Sequence, residues 1–227
     1  MELDDMAREN IILIVDWGGG TLDLSLIKKS EDHLQEIAVD GDFSLFGGSQ
    51  MDESILKKTL DSFPSVKDRL ASIQNGFELL KIEAEIAKKE ILESASPETD
   101  CVEIAPRWLK DSLTFEGKKV TEVAIETAAK VANRILKFLG NNGYTVADIT
   151  HVLYAGGVCK CPLIRNKIAE SLPEVGIIDT TMPQLLTGYG CARLLSYGFE
   201  LRMANDFGVL QSDDRFCRIL PSGHNIG

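Results

Sequence analysis

Asp16, three consecutive glycines (Gly18, Gly19, Gly20) and Thr21 stand between two apolar stretches, and Asp23 follows two residues later. Glycine at such a turn leaves backbone amides uncovered, and amides that converge form a nest for phosphate oxygens. Asp16, at the end of the first stretch, can hold magnesium through water. Thr21 adds a hydroxyl at the turn's exit, on the side that Asp23 faces. An acid, a glycine turn and a hydroxyl together suit a magnesium–polyphosphate ligand. Two commoner phosphate motifs are excluded. The P-loop needs Lys-Ser or Lys-Thr after its last glycine and then a helix, whereas Thr-Leu-Asp here begins a strand. The dinucleotide fingerprint also needs a helix after its glycines. A plain hairpin turn with solvated carboxylates explains the same residues equally well, so the motif alone decides nothing.

Other chemistry-bearing residues are weaker signals. Gly156-Gly157 lies between a strand and a helix, where many α/β connections use glycine. Glu85 and Lys88, on the polar face of a helix, read by default as a solvated pair. The five cysteines (Cys101, Cys159, Cys161, Cys191, Cys217) are odd in number and irregular in spacing, which predicts free thiols in a reducing compartment. No Cys-x-x-Cys or His pair completes a zinc site near Cys159 and Cys161. A redox role for Cys159 competes with a simpler reading as a small, partly buried thiol. Asp206-Phe207-Gly208 lacks the glycine-rich loop, strand lysine and catalytic loop of a kinase.

These residues need elements to place them. Residues 11–15 are short and β-branched, Leu22, Leu24 and Leu26 alternate with polar residues, and 33–39 supplies a third strand. Gly47-Gly48 opens a helix of about a dozen residues ending before Pro64. A longer helical region runs over 66–92, with Leu79, Ile82 and Ile86 on one face and Leu80, Ala84, Ala87 and Ile91 beside them. Short strands are predicted at 101–104 and 112–115. Val120, Val123, Thr127, Val131, Ile135 and Phe138 keep a helical spacing, with Gly140 as the C-cap. A strand at 151–155, a helix from Pro162 to about 171, a strand at 175–178 and a helix at 183–195 follow. Residues 206–209 and 216–220 read as short strands in a tail of different character. The order suggests an α/β core interrupted by a smaller unit.

The bulk numbers set limits. The 227 residues are 44% hydrophobic and 26% charged, an ordinary globular composition. A net charge of -11 repels a phosphate backbone, so nucleic acid is not the expected partner. No run approaches the roughly 18 apolar residues of a membrane helix, and the acidic start is not a secretory signal. A cytoplasmic protein is expected.

Taken in order, the motifs resemble the heat shock protein 70 family, in the second lobe of its actin-like ATPase domain. ILIVDWGGGTLDLSLI is similar to the family's phosphate hairpin, covering Asp16, Gly18, Gly19, Gly20, Thr21 and Asp23. LFGGSQMDESI resembles the glycine pair, Gly47 and Gly48, that opens the smaller subdomain. AEIAKKEILES resembles the adenosine-contacting helix, with Glu85 and Lys88 toward the ribose and Lys89 beside the base. VLYAGGVCKCP resembles the second glycine site, with Gly156 and Gly157 on the nucleotide and Lys160 at an adenine-stacking position. MPQLLTGYGCA resembles the closing helix, and the tail the entry into a β peptide-binding domain. The resemblance implies an α/β, ribonuclease H-like lobe with an inserted α+β subdomain. It implies a leader at 1–10, a core at 11–48 and 116–198, the insert at 49–115, and a linker with the start of the β domain at 199–227. It implies ATP or ADP with magnesium as cofactors and Asp16, Thr21 and Asp23 as the catalytic positions, Asp16 holding magnesium through water. It further implies a stress-response chaperone with extended peptide clients bound by a further domain, J-domain co-chaperones and nucleotide-exchange factors.

Departures from the family pattern cluster at the base. Trp17 stands for a small aliphatic residue, Ser49 for an acid, Lys89 and Lys160 for arginines, and Leu92 for a serine, with Ser94 nearby. Val158 stands for a polar residue and Gln184-Leu185 for an acidic pair. Lysine lacks the planar guanidinium, so any stacking on a base is weaker. Ten residues precede the first strand, so the clamp's other lobe is expected in a longer parent chain, and this piece alone is expected not to hydrolyse ATP. Two alternatives stay open: a non-hydrolysing regulatory member, and a small-molecule kinase on the same fold.

Overall fold

The computed structural model describes residues 10–30, 33–42, 47–197, 202–203, 206–210 and 215–225. In chain order the elements are β1 (Asn10–Trp17), β2 (Leu22–Lys29), β3 (Leu34–Asp42), α1 (Gly48–Leu60), α2 (Pro64–Leu70), α3 (Gly76–Glu93), β4 (Cys101–Ile104), β5 (Leu113–Glu116), α4 (Gly117–Asn141), β6 (His151–Ala155), α5 (Pro162–Ala169), β7 (Gly176–Ile178), α6 (Leu186–Tyr197), β8 (Phe207–Leu210) and β9 (Phe216–Leu220). Five strands form one mixed sheet in the order β3-β2-β1-β6-β7. β1, β2 and β3 run antiparallel as a meander, while β6 and β7 lie parallel to β1.

Period-two alternation explains the meander. Leu13, Val15 and Trp17 of β1 and Leu22, Leu24 and Leu26 of β2 face one side and are at most 1% exposed. Tyr154 of β6 is in register with Val15 and joins the same face. The apolar stripe of α4 (Val120, Val123, Val131, Ile135 and Phe138) belongs to the same core. Each such side chain contributes about 1.5–3 kcal/mol on burial. Arg134 of α4 ties the helix to the sheet's edge: its Nη2 donates to both carboxylate oxygens of Asp40, at 3.0 and 2.9 Å.

Between β3 and α4, helix α1 packs on α3 and α4, and β4 pairs with β5 as a separate ribbon. The helix predicted over 66–92 is two helices. Pro64 sits at the first turn of α2, where its missing N–H costs nothing. Asn75 adopts a left-handed φ of 56° just before Gly76 and separates α2 from α3. The two apolar stripes of α3 also part company. Leu80, Ala84, Ala87 and Ile91 are buried, whereas Leu79, Ile82 and Ile86 are 41%, 57% and 53% exposed. Gly140 is not the C-cap of α4; the helix continues to Asn141, and Gly143 takes the left-handed position at φ 79°.

At the far end, a 3-10 turn (Pro183–Leu185) leads into α6. β8 and β9 pair antiparallel as a ribbon whose Phe207, Val209, Leu210, Phe216 and Ile219 are all more than half exposed. Parts of the expected leader and tail, at 1–9, 198–201, 204–205, 211–214 and 226–227, lie outside the described residues, as does 43–46 before the second glycine pair. No helix among the described residues is long and apolar enough to cross a membrane.

Candidate functional site

The β1–β2 hairpin closes with Trp17 opposite Leu22, and the Gly18 N–H donates to the Thr21 carbonyl at 2.9 Å. Gly19 and Gly20 are therefore the turn itself. None of the three glycines has a left-handed φ, so the turn does not need glycine for its backbone angles. The space beside them is open: a Cβ on Gly19 or Gly20 would meet nothing within 4 Å. The start of α1 is fastened to this turn. Gly48 N–H donates to the Gly18 carbonyl at 3.0 Å, and Ser49 N–H to the Gly19 carbonyl at 2.8 Å. In a trans peptide the N–H points opposite to the C=O. With the Gly18 and Gly19 carbonyls turned to α1, the Gly19 and Gly20 amides point away from it. Gly47 permits the approach, since a Cβ there would lie 2.4 Å from the Gly20 carbonyl carbon.

Asp16 and Asp23 are direct cross-strand partners. Two carboxylates opposite each other repel, and Asp16 is pushed above the ordinary carboxylate range, by burial first and by Asp23 second. Thr21 Oγ1 donates to Asp23 Oδ2 at 2.9 Å, so the hydroxyl orients that acid. On the other side of β1, Gly156 follows β6 with φ 83°, and a Cβ there would lie 2.3 Å from the Trp17 carbonyl and 2.8 Å from Asp16 Oδ1. The two glycine segments thus leave neighbouring strand ends side by side, around Asp16. Trp17 is fully buried on the core face and stays out of this space.

A cleft of about 760 Å³ opens beside the turn, lined by Gly19, Gly48, Glu85, Lys88, Lys89, Gly157 and Lys160 among others. Seven of the expected site residues therefore share one cavity. Asp16, Gly18, Gly20, Thr21 and Asp23 of the hairpin, Gly156 after β6 and Gly47 at the start of α1 are not in its lining. The expected pairing of Glu85 with Lys88 is not found. Glu85 binds Lys89 Nζ at 2.6 Å, the i,i+4 partner. Lys88 is buried, with Nζ 2.6 Å from Asp52 Oδ1 of α1 and 3.5 Å from the Gly48 carbonyl. Burial is the largest influence on Asp52 and raises it in spite of Lys88. Across the cleft, Lys160 Nζ lies 2.8 Å from Glu93 Oε1.

Asp52 and Glu93 are the site residues that sequence reasoning missed. Their partners are 36 and 67 residues away, so no local spacing announces them. Glu93 stood one residue past Leu92, at the end of an amphipathic stretch, and that position was its only signal.

All five cysteines are free thiols. Cys159 is fully buried, its Sγ 3.6 Å from the Val15 carbonyl, and burial above all pushes its pKa up to about 12. A redox role needs the thiolate. Treating the native protein with iodoacetamide near pH 8 is therefore expected to label the exposed Cys101, Cys191 and Cys217 and to spare Cys159. Peptide mass mapping reads the result, and rapid modification of Cys159 would restore the redox reading.

Comparison with known proteins gives one consistent answer. The family model described as "Hsp70 protein" matches residues 2–177. The chain is 31% identical over 182 residues to "Chaperone protein DnaK" of Thermoplasma volcanium, covering 75% of this chain and 28% of that protein. It is 30% identical over 181 residues to the protein of the same description from Thermoplasma acidophilum, with the same coverage of 75% and 28%. "Mitochondrial-type heat shock protein 70" of Encephalitozoon hellem is 28% identical over 179 residues, covering 74% of this chain and 29% of the relative. The chain thus spans little more than a quarter of the length of these relatives. The matched segment carries the glycine hairpin, the paired acids and most of the cleft, and the chain belongs to the Hsp70 family.

Proposed function

We propose that this chain is the second lobe of an Hsp70-type ATPase domain and binds ATP or ADP with magnesium, nucleotide state in the parent protein gating the binding of extended peptides. One observation carries the reading: a glycine turn with no Cβ in the way, its Gly19 and Gly20 amides turned from α1, stands beside a cross-strand acid pair that repels itself. An anion suits those amides, and a divalent cation suits Asp16 and Asp23. These donors therefore fit a magnesium polyphosphate.

Within that reading the residues divide the work. Gly19 and Gly20 on one strand end, and Gly157 on the next, offer backbone groups to phosphate oxygens, while Gly18 and Gly156, whose amides donate to the Thr21 and Pro183 carbonyls, shape the two turns. Asp16 holds magnesium through water, and Thr21 keeps Asp23 oriented for the same cation. Bound magnesium nucleotide would supply the scissile phosphoryl group and the positive charge that offsets the two acids. Gly47 and Gly48 let α1 close on the turn, so a shift of α1 and α3 reaches the phosphate end directly. We place the ribonuclease H-like core at 11–48 and 116–198, the inserted subdomain at 49–115, and the start of a β domain at 199–227. On this division the insert is the docking unit for nucleotide-exchange factors, and J-domain co-chaperones act on the assembled parent.

Asp16→Asn tests the proposal. It removes the charge that faces the cation, so affinity for Mg·ADP is expected to fall at least tenfold by calorimetry, with steady-state ATPase of the full-length parent lost in parallel. Repulsion with Asp23 also disappears, so thermal stability without ligand should rise, by about 0.5 kcal/mol. Since burial raises Asp16, its charge is lost on acidification earlier than an ordinary aspartate's, and wild-type affinity should decline as pH falls toward that point. Unchanged Mg·ADP affinity in the variant would sink the reading.

A further inference from the structure

We infer that Val158 is a positioning residue for phosphate: by packing on Gly48 it holds α1 against the glycine turn and keeps the Gly19 and Gly20 amides turned outward. This deepens the nucleotide reading above and rests on it. Val158 opens the 3-10 turn that follows β6 (Val158–Lys160). The next residue anchors that turn in the core, since Cys159 is fully buried and its Sγ donates to the Val15 carbonyl of β1. Val158 itself is half-buried, packs against the core and lines the cleft. Its Cγ2 lies 3.1 Å from where a Cβ on Gly48 would stand, so the methyl group rests on the bare side of that glycine.

Gly48 is where this contact acts. Its N–H and that of Ser49 donate to the Gly18 and Gly19 carbonyls, at 3.0 and 2.8 Å. Those two peptide units also carry the Gly19 and Gly20 amides, so the direction of the amides follows the position of α1. No side chain caps α1, whose N-cap is Gly47; the turn's carbonyls take the helix's first N–H groups instead. Two contacts hold α1 at this point. Lys88, with Nζ 3.5 Å from the Gly48 carbonyl, ties it to α3, whereas Val158 ties it to the sheet that carries the turn. Without the valine methyls α1 can draw back, the two peptide units tilt, and the amides no longer converge on one anion. The effect is on direction and not on charge, so it weighs on phosphates whatever they are attached to.

The test titrates the chain by calorimetry with Mg·ADP and Mg·tripolyphosphate, and follows hydrogen exchange at the Gly48 and Ser49 amides by NMR. Val158→Ala should weaken both ligands by the same factor, about three- to tenfold, and speed exchange at those two amides. Val158→Thr keeps the branched shape and should stay within about twofold of wild type on both counts. A complementary swap guards against a folding defect. Gly48 is not left-handed, so Gly48→Ala is opposed chiefly by its contact with Val158, and it should weaken both ligands too. Val158→Ala in the same chain makes room for the new methyl group, so the double variant should bind both more tightly than Gly48→Ala alone. A Val158→Ala chain that binds both ligands as wild type does, or whose two amides exchange at the wild-type rate, overturns the inference and leaves the nucleotide site standing. So does a loss confined to Mg·ADP, which would make Val158 a nucleoside contact. Failure of the wild-type chain to bind either ligand would remove the nucleotide reading itself, and this inference with it.

Discussion

Replacing Gly156 by alanine is expected to lower the melting temperature by about 6–12 °C, while the same change at Gly157 leaves it unmoved. Gly156 holds a φ of 83°, a conformation that costs an L-residue roughly 1–2 kcal/mol. The new methyl carbon would also stand 2.3 Å from the Trp17 carbonyl oxygen and 2.4 Å from its carbon. Both are backbone atoms of a central strand and cannot swing aside as a flexible side chain would. Forcing them apart adds about 1–3 kcal/mol. The sum, near 3 kcal/mol, is a large share of a stability of roughly 5–15 kcal/mol. At Gly157 a Cβ meets nothing within 4 Å, because that glycine faces the cleft. Gly157→Ala should therefore spare stability and weaken phosphate binding. Differential scanning calorimetry on the two variants separates these roles, and equal melting temperatures would refute the assignment.

The contrast between these adjacent glycines marks how far the sequence could be read. The strand–glycine–strand order around Asp16 was legible because period-two alternation on either side leaves no room for a helix. The order of elements was legible too, whereas the mixed sheet, with β6 and β7 parallel to β1, was not. The reason for the first glycine triplet was not legible. Glycine serves a left-handed turn and an open surface equally, and only the backbone shows that Gly18, Gly19 and Gly20 are not left-handed and that Gly19 and Gly20 face open space. The same limit applies to α3. Two apolar stripes, Leu79-Ile82-Ile86 and Leu80-Ala84-Ala87-Ile91, satisfy a helical period together, and the choice of the buried one depends on where α1 lies. The break at Asn75 escaped notice because a left-handed asparagine before glycine interrupts the helix without disturbing the hydrophobic count. In the cleft, the lysines were legible as residues and not as pairs. Lys89 met its neighbour four residues back, while Lys88 and Lys160 found partners set by tertiary structure.

Lys88 carries the other large effect. Family resemblance makes it a ribose contact, whereas its geometry here makes it a pin. Its ammonium lies 2.6 Å from Asp52, and the two residues are only 8% and 4% exposed. The contact joins α3 to α1, whose first amides grip the glycine turn. Asp52 Oδ1 lacks a well-directed hydrogen bond, so the charge of Lys88 is the main compensation that carboxylate has. Removing one member of a buried pair leaves the other uncompensated, at a cost of about 3–5 kcal/mol. Lys88→Met is thus expected to lower stability by that amount at pH 7, and Lys88→Met with Asp52→Leu to recover most of it. The pH dependence has a definite sign. Burial already raises Asp52 above its unfolded value, and loss of the lysine raises it further. A carboxyl with a raised folded pKa favours the folded state at low pH and loses that contribution as pH rises through the folded value. The deficit of Lys88→Met should therefore shrink when unfolding is measured at progressively lower pH, as Asp52 becomes neutral. A mere ribose contact makes the opposite forecast: weaker Mg·ADP binding with stability intact at every pH. Urea denaturation of the single and double variants at pH 7 and near pH 5 distinguishes the two, and a single variant as stable as wild type would return Lys88 to the ligand.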